Sequence, residues 1–279
     1  MSFKDRITYF NNRLEHLFAR KEHEESLAFV SFFMGCDPTY KKSLSILLEA
    51  AESGSDILEI GFANSEASSE GPIIQTASER ALKAGGSLNQ VIKLAADVRK
   101  KNKKISIVLM GYISNIFMYP MNRFVEDVAK ADIDGVLVID APHETREENK
   151  LRELLSKHNI CLIKLIAPTT DEKRIKEIVK ISRGFIYAVN VKGITGVKRA
   201  ELANVKNMIR KIKKHTDLPI CSGFGIKNLK DAQLMAKSGA NGIVMGSSLV
   251  DIVAKNVKFN EKKIATKVGG YIRNILSNL

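Results

Sequence analysis

Glu59 stands inside an apolar run: Ile57, Leu58 and Ile60 surround it, and Gly61 closes the run. A charge in the last turn of a core strand is costly unless it is paired or faces a polar cavity. Two readings follow. A neighbouring lysine or backbone N–H satisfies the carboxylate, or Glu59 works as a general acid/base where a barrel of parallel strands opens at its C-terminal end. The polar loop that follows carries two more carboxylates, Glu66 and Glu70, the latter directly before Gly71-Pro72. A second set of residues lies late in the chain. Gly193 and Gly196, then Gly223 and Gly225, then Gly246 and Ser247, each follow an apolar run. Any one of these pairs suits an ordinary turn or helix cap. Three in register suit an anion, because glycines let backbone N–H groups approach it and a helix opening at Ser247 adds partial positive charge. Acid/base chemistry beside a phosphate group is the combination these residues offer.

The elements that must position them alternate regularly. Apolar runs at 27–35, 57–61, 105–112, 135–140, 161–168, 185–190, 218–226 and 242–250 read as strands. Helical or helix-compatible segments separate them, including 41–53, 88–100, 122–130 and about 144–158, with Thr170 or Asp171 placed to cap the helix after the fifth strand. Another helix is predicted to open near Ile73. Eight such units predict a (β/α)8 barrel, the TIM barrel fold, which takes about 250 residues. An additional amphipathic helix precedes them, with Phe3, Ile7, Phe10, Leu14 and Leu17 at alternating four- and three-residue steps. No linker or composition shift interrupts the order, so the expectation is one domain over residues 1–279, with 1–22 covering the N-terminal end of the barrel. Asp140, at the end of the fourth run, is either a second site candidate or a cap for the next helix.

Composition narrows the function classes. The formal net charge is +13, but the basic clusters at 100–104, 172–180 and 210–214 sit in or beside helical patterns without aromatic interleaving. They read as solvated helix faces rather than a nucleic-acid surface. The cysteines, Cys36, Cys161 and Cys221, are few, odd in number and next to apolar runs, which predicts reduced buried thiols. The five histidines make no metal-ligand spacing. No apolar run reaches the roughly 18 residues of a membrane span, and the N-terminus lacks a signal-peptide pattern. A cytoplasmic protein acting on a small molecule is expected.

The run Leu58-Glu59-Ile60-Gly61, a polar loop with Glu66, then Glu70-Gly71-Pro72 and Ile74-Gln75, resembles the tryptophan synthase α subunit family. The segment 187–196, with Tyr187, Thr195 and Gly196, also resembles that family, as do Asp37-Pro38, Gly223, Gly225 and Gly246-Ser247. The resemblance covers residues 3–255. It implies a barrel enzyme that cleaves indole-3-glycerol phosphate to indole and glyceraldehyde 3-phosphate. On that alignment Glu59 is the catalytic Glu, Glu66 falls on the second catalytic carboxylate and Tyr187 on an active-site Tyr. Thr195, Gly196, Gly223, Gly225, Gly246 and Ser247 fall on substrate-binding positions. It implies no cofactor or metal in this chain, and a β subunit carrying pyridoxal phosphate as partner in an α2β2 complex. The sequence departs from the family's pattern: Ala63 and Ala67 replace prolines, Asn64 replaces an aromatic, glutamates replace aspartates at 66 and 70, and Cys36 replaces a glycine. After Tyr112 the text Ile113-Ser114-Asn115 departs as well. A non-catalytic α-like subunit that activates a β partner, or another phosphate-binding barrel enzyme, are the alternatives these departures leave open.

Overall fold

The computed structural model describes residues 12–66, 70–141, 145–189, 199–223 and 225–279. Eight parallel strands close into a barrel in chain order: β1 (Ala28–Met34), β2 (Ile57–Gly61), β3 (Ser106–Gly111), β4 (Gly135–Val138), β5 (Cys161–Ile166), β6 (Ile186–Ala188), β7 (Ile220–Ser222) and β8 (Gly242–Met245). β8 returns to β1 through the pairs Ala28 with Gly242 and Ser31 with Met245. Helices cover the outside, so the strands are buried on both faces and read as nearly unbroken apolar runs. The (β/α)8 architecture predicted from the alternation is the one observed.

Twelve helices lie among the described residues. α1 (Arg13–His23) is capped by Asn12, whose side-chain oxygen accepts the Leu14 N–H at 2.9 Å. The amide of the same side chain donates to the carbonyls of Asp134 and Asn159, which precede β4 and β5. One residue thus starts the helix and fastens it across the N-terminal strand ends, with Leu14, Leu17 and Phe18 buried there. Phe3, Ile7 and Phe10 of the predicted helix lie outside the described residues.

The helices that position the site are α2 (Tyr40–Glu52), α3 (Pro72–Lys83), α4 (Leu88–Lys101), α5 (Ile113–Phe117) and α6 (Met121–Lys130). They are followed by α7 (Arg146–Lys157), α8 (Glu172–Ile181), α9 (Arg199–Lys213), α10 (Leu229–Ala236), α11 (Ser247–Lys255) and α12 (Glu261–Leu276). Asp171, not Thr170, caps α8. Two helices were not anticipated. α12 buries Ile264, Val268, Ile272 and Ile275 at helical spacing and packs on α2. Its Gly269 permits that approach, since a Cβ there would meet Glu49 Oε1 at 2.2 Å. α5 is a single short turn between β3 and α6, too brief for a periodic signal. Several strands are shorter than their apolar runs. β4 stops at Val138 because the Ile139 N–H makes a last bond to Gly111 before the chain turns. No helix among the described residues is long and apolar enough to cross a membrane.

Candidate active site

Glu59 is the third residue of β2, paired with Phe32 of β1 and Val108 of β3. It is fully buried. Its side chain points into the barrel: Tyr187 on β6 and Cys221 on β7, across the interior, are pushed up in pKa by burial first and by Glu59 second. Among the described residues neither carboxyl oxygen of Glu59 has a hydrogen-bond partner. Of the two sequence readings, pairing with a lysine or a backbone N–H is therefore not what the fold provides. Burial, and then the nearby charge of Glu70, raise the Glu59 pKa to about 8. At neutral pH the group is a carboxylic acid with a proton to give.

The second carboxylate at this end is Glu70, not Glu66. Glu66 is exposed on the loop, its backbone N–H bonded to Asn64 Oδ1 at 2.8 Å. Glu70 sits at the approach to α3, with its carbonyl held by Gln75 Nε2 at 3.0 Å and one carboxyl oxygen buried without a partner among the described residues. Burial raises its pKa to about 7. The carboxylate expected to be the second one was Glu66; the structure places Glu66 outside the cleft and Glu70 on it. An ungapped reading of motif positions fixes order along the chain, whereas reach toward the barrel depends on the helix that starts at Pro72 with Gly71 as its cap, just after Glu70. The signal available in the sequence was Gly71-Pro72 itself, a helix start that fixes the residue immediately before it.

Glu70 lines a cleft of about 140 Å³ that opens to solvent. Phe32, Met110, Ile74 and Val244 give it apolar walls. Tyr187 lines it too, packed against Gly223, where a Cβ would meet the tyrosine hydroxyl at 2.8 Å. At the far side Gly223, Gly225, Gly246 and Ser247 meet. Gly225 has φ +50°, the left-handed region that favours glycine. α11 begins at Ser247 with Gly246 as its cap, so no capping side chain takes up its first-turn N–H groups. Four of the six predicted substrate-binding residues are thus brought together; Thr195 and Gly196 lie outside the described residues. Glu59 lies below the cleft lining rather than on it. Asp140 is not in the cleft. Its carboxylate accepts the Ile113 N–H at 2.7 Å and caps α5, the helix after β3 rather than the helix after β4.

Comparison with known proteins decides the family. The family model for the tryptophan synthase alpha chain matches residues 18–273. The chain belongs to the tryptophan synthase α chain family. Among solved structures, one from Aquifex aeolicus VF5 is 31% identical, covering 96% of this chain and 99% of the other with a TM-score of 0.84. The tryptophan synthase α subunit from Legionella pneumophila is 26% identical over 96% and 99% of the two chains, with a TM-score of 0.86. An α-subunit variant from Pyrococcus furiosus is 25% identical over 90% and 98%, with a TM-score of 0.80.

Membership brings the lyase class and a place in tryptophan biosynthesis, and tryptophan synthase α chains generally pair with β subunits. It also gives the departures a physical meaning. Cys36, in place of a tryptophan synthase α glycine, has φ +68° and keeps the glycine conformation with a buried thiol. Asn64, in place of an aromatic residue, hydrogen-bonds to Ser114 and Asn115 at 3.0 and 2.8 Å. The loop after β2 has lost prolines and gained a polar network.

Proposed function

We propose that this chain cleaves indole-3-glycerol phosphate to indole and glyceraldehyde 3-phosphate by a retro-aldol step. The observation that carries the reading is one cleft that sets a carboxylate of pKa about 7 near a glycine-lined helix N-terminus, with a buried acid of pKa about 8 beneath its lining. Environments that set two carboxyl groups apart assign their roles. Protonated Glu59 gives its proton to indole C3. The positive charge this creates on the ring nitrogen is stabilised by ionised Glu70, which accepts the N–H. The bond from C3 to the side chain then breaks, its electron pair returning to the ring. The carbinol hydroxyl loses its proton to the Glu59 carboxylate and becomes the aldehyde, which restores the acid. Gly223, Gly225, Gly246 and Ser247 hold the phosphate, and Tyr187 with Phe32 and Met110 shapes the ring pocket. Substrate must part the lining enough to bring C3 within about 2.6–3.2 Å of Glu59, a tightening common on substrate binding.

No step draws on a metal or cofactor. Pyridoxal phosphate is expected only in the partner β subunit, with which this chain forms an α2β2 complex in the cytoplasm. Indole is apolar and diffuses away, so a partner that consumes it directly gives the association a purpose. The reading is tested by measuring indole release from indole-3-glycerol phosphate, with and without β subunit, and inhibition by inorganic phosphate. Indole release with competitive phosphate inhibition is expected. Binding of the substrate with no indole formed, even with β subunit, would instead mark a non-catalytic α-like subunit.

A further inference from the structure

We propose that Asn64 is a positioning residue for Glu70, acting by locking α3 to α5. This rests on the reading of Glu70 as the ring-nitrogen carboxylate. Asn64 is held to α3 twice by one side chain: Ser78 Oγ accepts the Asn64 N–H and donates to the Asn64 carbonyl, each at 2.9 Å. Its own side chain reaches the other way, with Nδ2 donating to Ser114 Oγ at 3.0 Å and Asn115 Oδ1 at 2.8 Å on α5. Asn115 answers by donating to the carbonyl of Ala63 at 3.2 Å. Asn64 Oδ1 meanwhile accepts the Glu66 N–H.

Both ends of this bridge are anchored. α5 is held from β4 by the Asp140 cap. α3 carries Gln75, which holds the Glu70 backbone, and Arg80, which makes a bidentate pair with buried Asp37 after β1 at 2.9 and 2.8 Å. With Ala63 where a proline would restrict the chain, the bonds of Asn64 and Asn115 do the work that a fixed φ angle would do. A longer carboxylate arm at position 70 makes the placement of its backbone matter, because an error of about 1 Å costs on the order of a hundredfold.

The test compares Asn64→Ala and the double variant S114A/N115A, which removes the α5 partners and leaves Asn64 intact. Two readouts are taken on the whole chain: the Glu70 carboxyl titration by NMR without substrate, and kcat and KM for cleavage. In both variants the Glu70 titration should move down from about 7 toward its ordinary value as the side chain gains solvent. In both, kcat should fall roughly tenfold or more with KM little changed. Combining the variants should add little beyond either, because they break the same bridge. An unmoved Glu70 titration in Asn64→Ala overturns the proposal, as does an effect in Asn64→Ala that S114A/N115A fails to reproduce. Were the wild type unable to cleave the substrate, the titration alone would still decide the role of Asn64.

Discussion

The two ends of the barrel bury carboxylates in opposite ways. At the N-terminal end Asp134 receives Arg99 at 2.7 Å, Arg13 at 2.8 Å and the Ile107 N–H at 2.8 Å. Glu15 on α1 pairs with Arg183 at 3.1 Å beside it. At the C-terminal end Glu59 feels the charge of Glu70, and both carry buried oxygens that have no partner among the described residues. Desolvation is comparable in kind at both ends, yet its consequence differs. Burial raises the Asp134 pKa too, but Arg99 and Arg13 work against it and the carboxylate ties strands to helices; one left unmet has no such opposition, keeps its proton to higher pH and can pass it on. The first end ties the fold together; in the proposed reaction the second is where the proton is transferred.

The largest test of that contrast is Glu59→Gln. The amide fits the same space and cannot give a proton, so cleavage should fall by roughly 10²–10⁴ while the fold is kept. Indole release and the far-UV circular dichroism of the variant check both halves. If more than a tenth of the activity survives, Glu59 is not the proton donor.

The mirror experiment at the other end is Asp134→Ala. Removing one member of a buried charge set leaves Arg99 only its longer pair with Asp132, at 3.5 Å, and breaking such a set costs on the order of 3–5 kcal/mol. Urea unfolding should show that loss. Cleavage per folded molecule should be unchanged, because Arg99 and Arg13 lie at the barrel end remote from the cleft. A loss of turnover with intact stability would erase the distinction between the two ends.

How far this contrast was legible in the sequence differs by residue. The barrel was, since eight apolar runs with helical spacers have few other ways to be buried. Glu59 was, because a charge among Ile57, Leu58 and Ile60 has a visible cost. The glycines and Ser247 were, as a set. Glu70 was only in part: Gly71-Pro72 marks the helix start beside it, but its depth depends on where α3 starts relative to the strand ends, a three-dimensional fact that composition does not carry. The capping of α5 by Asp140 was missed for the same reason: the bond crosses from β4 back to the preceding unit. Cys36 was noted as standing where a glycine belongs, and its φ of +68° is the conformation that explains why.

A smaller effect distinguishes the two carboxylates of the cleft. The rate should rise with ionisation of Glu70 near 7 and fall with loss of the Glu59 proton near 8, giving a narrow bell whose limbs belong to the coupled pair. Glu70→Gln should remove the rising limb and shift the falling limb to lower pH, since the Glu70 charge is one cause of the raised Glu59 value. Stability carries the same signature. Both pKa values lie above the ordinary 4.5, so the stability these groups contribute is complete below that value and is lost as pH rises through about 7 and about 8. Glu59→Gln should therefore match the wild type near pH 4.5 and exceed it above pH 8 in thermal midpoint, with the difference growing between. A midpoint difference that does not change with pH would mean that folding does not raise the Glu59 pKa.

The smallest expected effect belongs to Glu66→Ala, and it separates position in the chain from position in the fold. Glu66 and Glu70 are the same residue type on the same loop. Only Glu70 is carried over the strand ends by the start of α3, while Glu66 is exposed. What the structure uses at position 66 is the backbone N–H, bonded to Asn64 Oδ1, and alanine retains it. The side chain contributes one solvated charge on a strongly basic protein, and exposed charges are worth about 0–1 kcal/mol. Cleavage by the isolated chain should therefore be close to that of the wild type, with both pH limbs in place, whereas Glu70→Ala loses most of it. A fall for Glu66→Ala as deep as that for Glu70→Ala would assign the ring-nitrogen role to Glu66 after all, and would require the loop to turn its carboxylate inward when substrate binds.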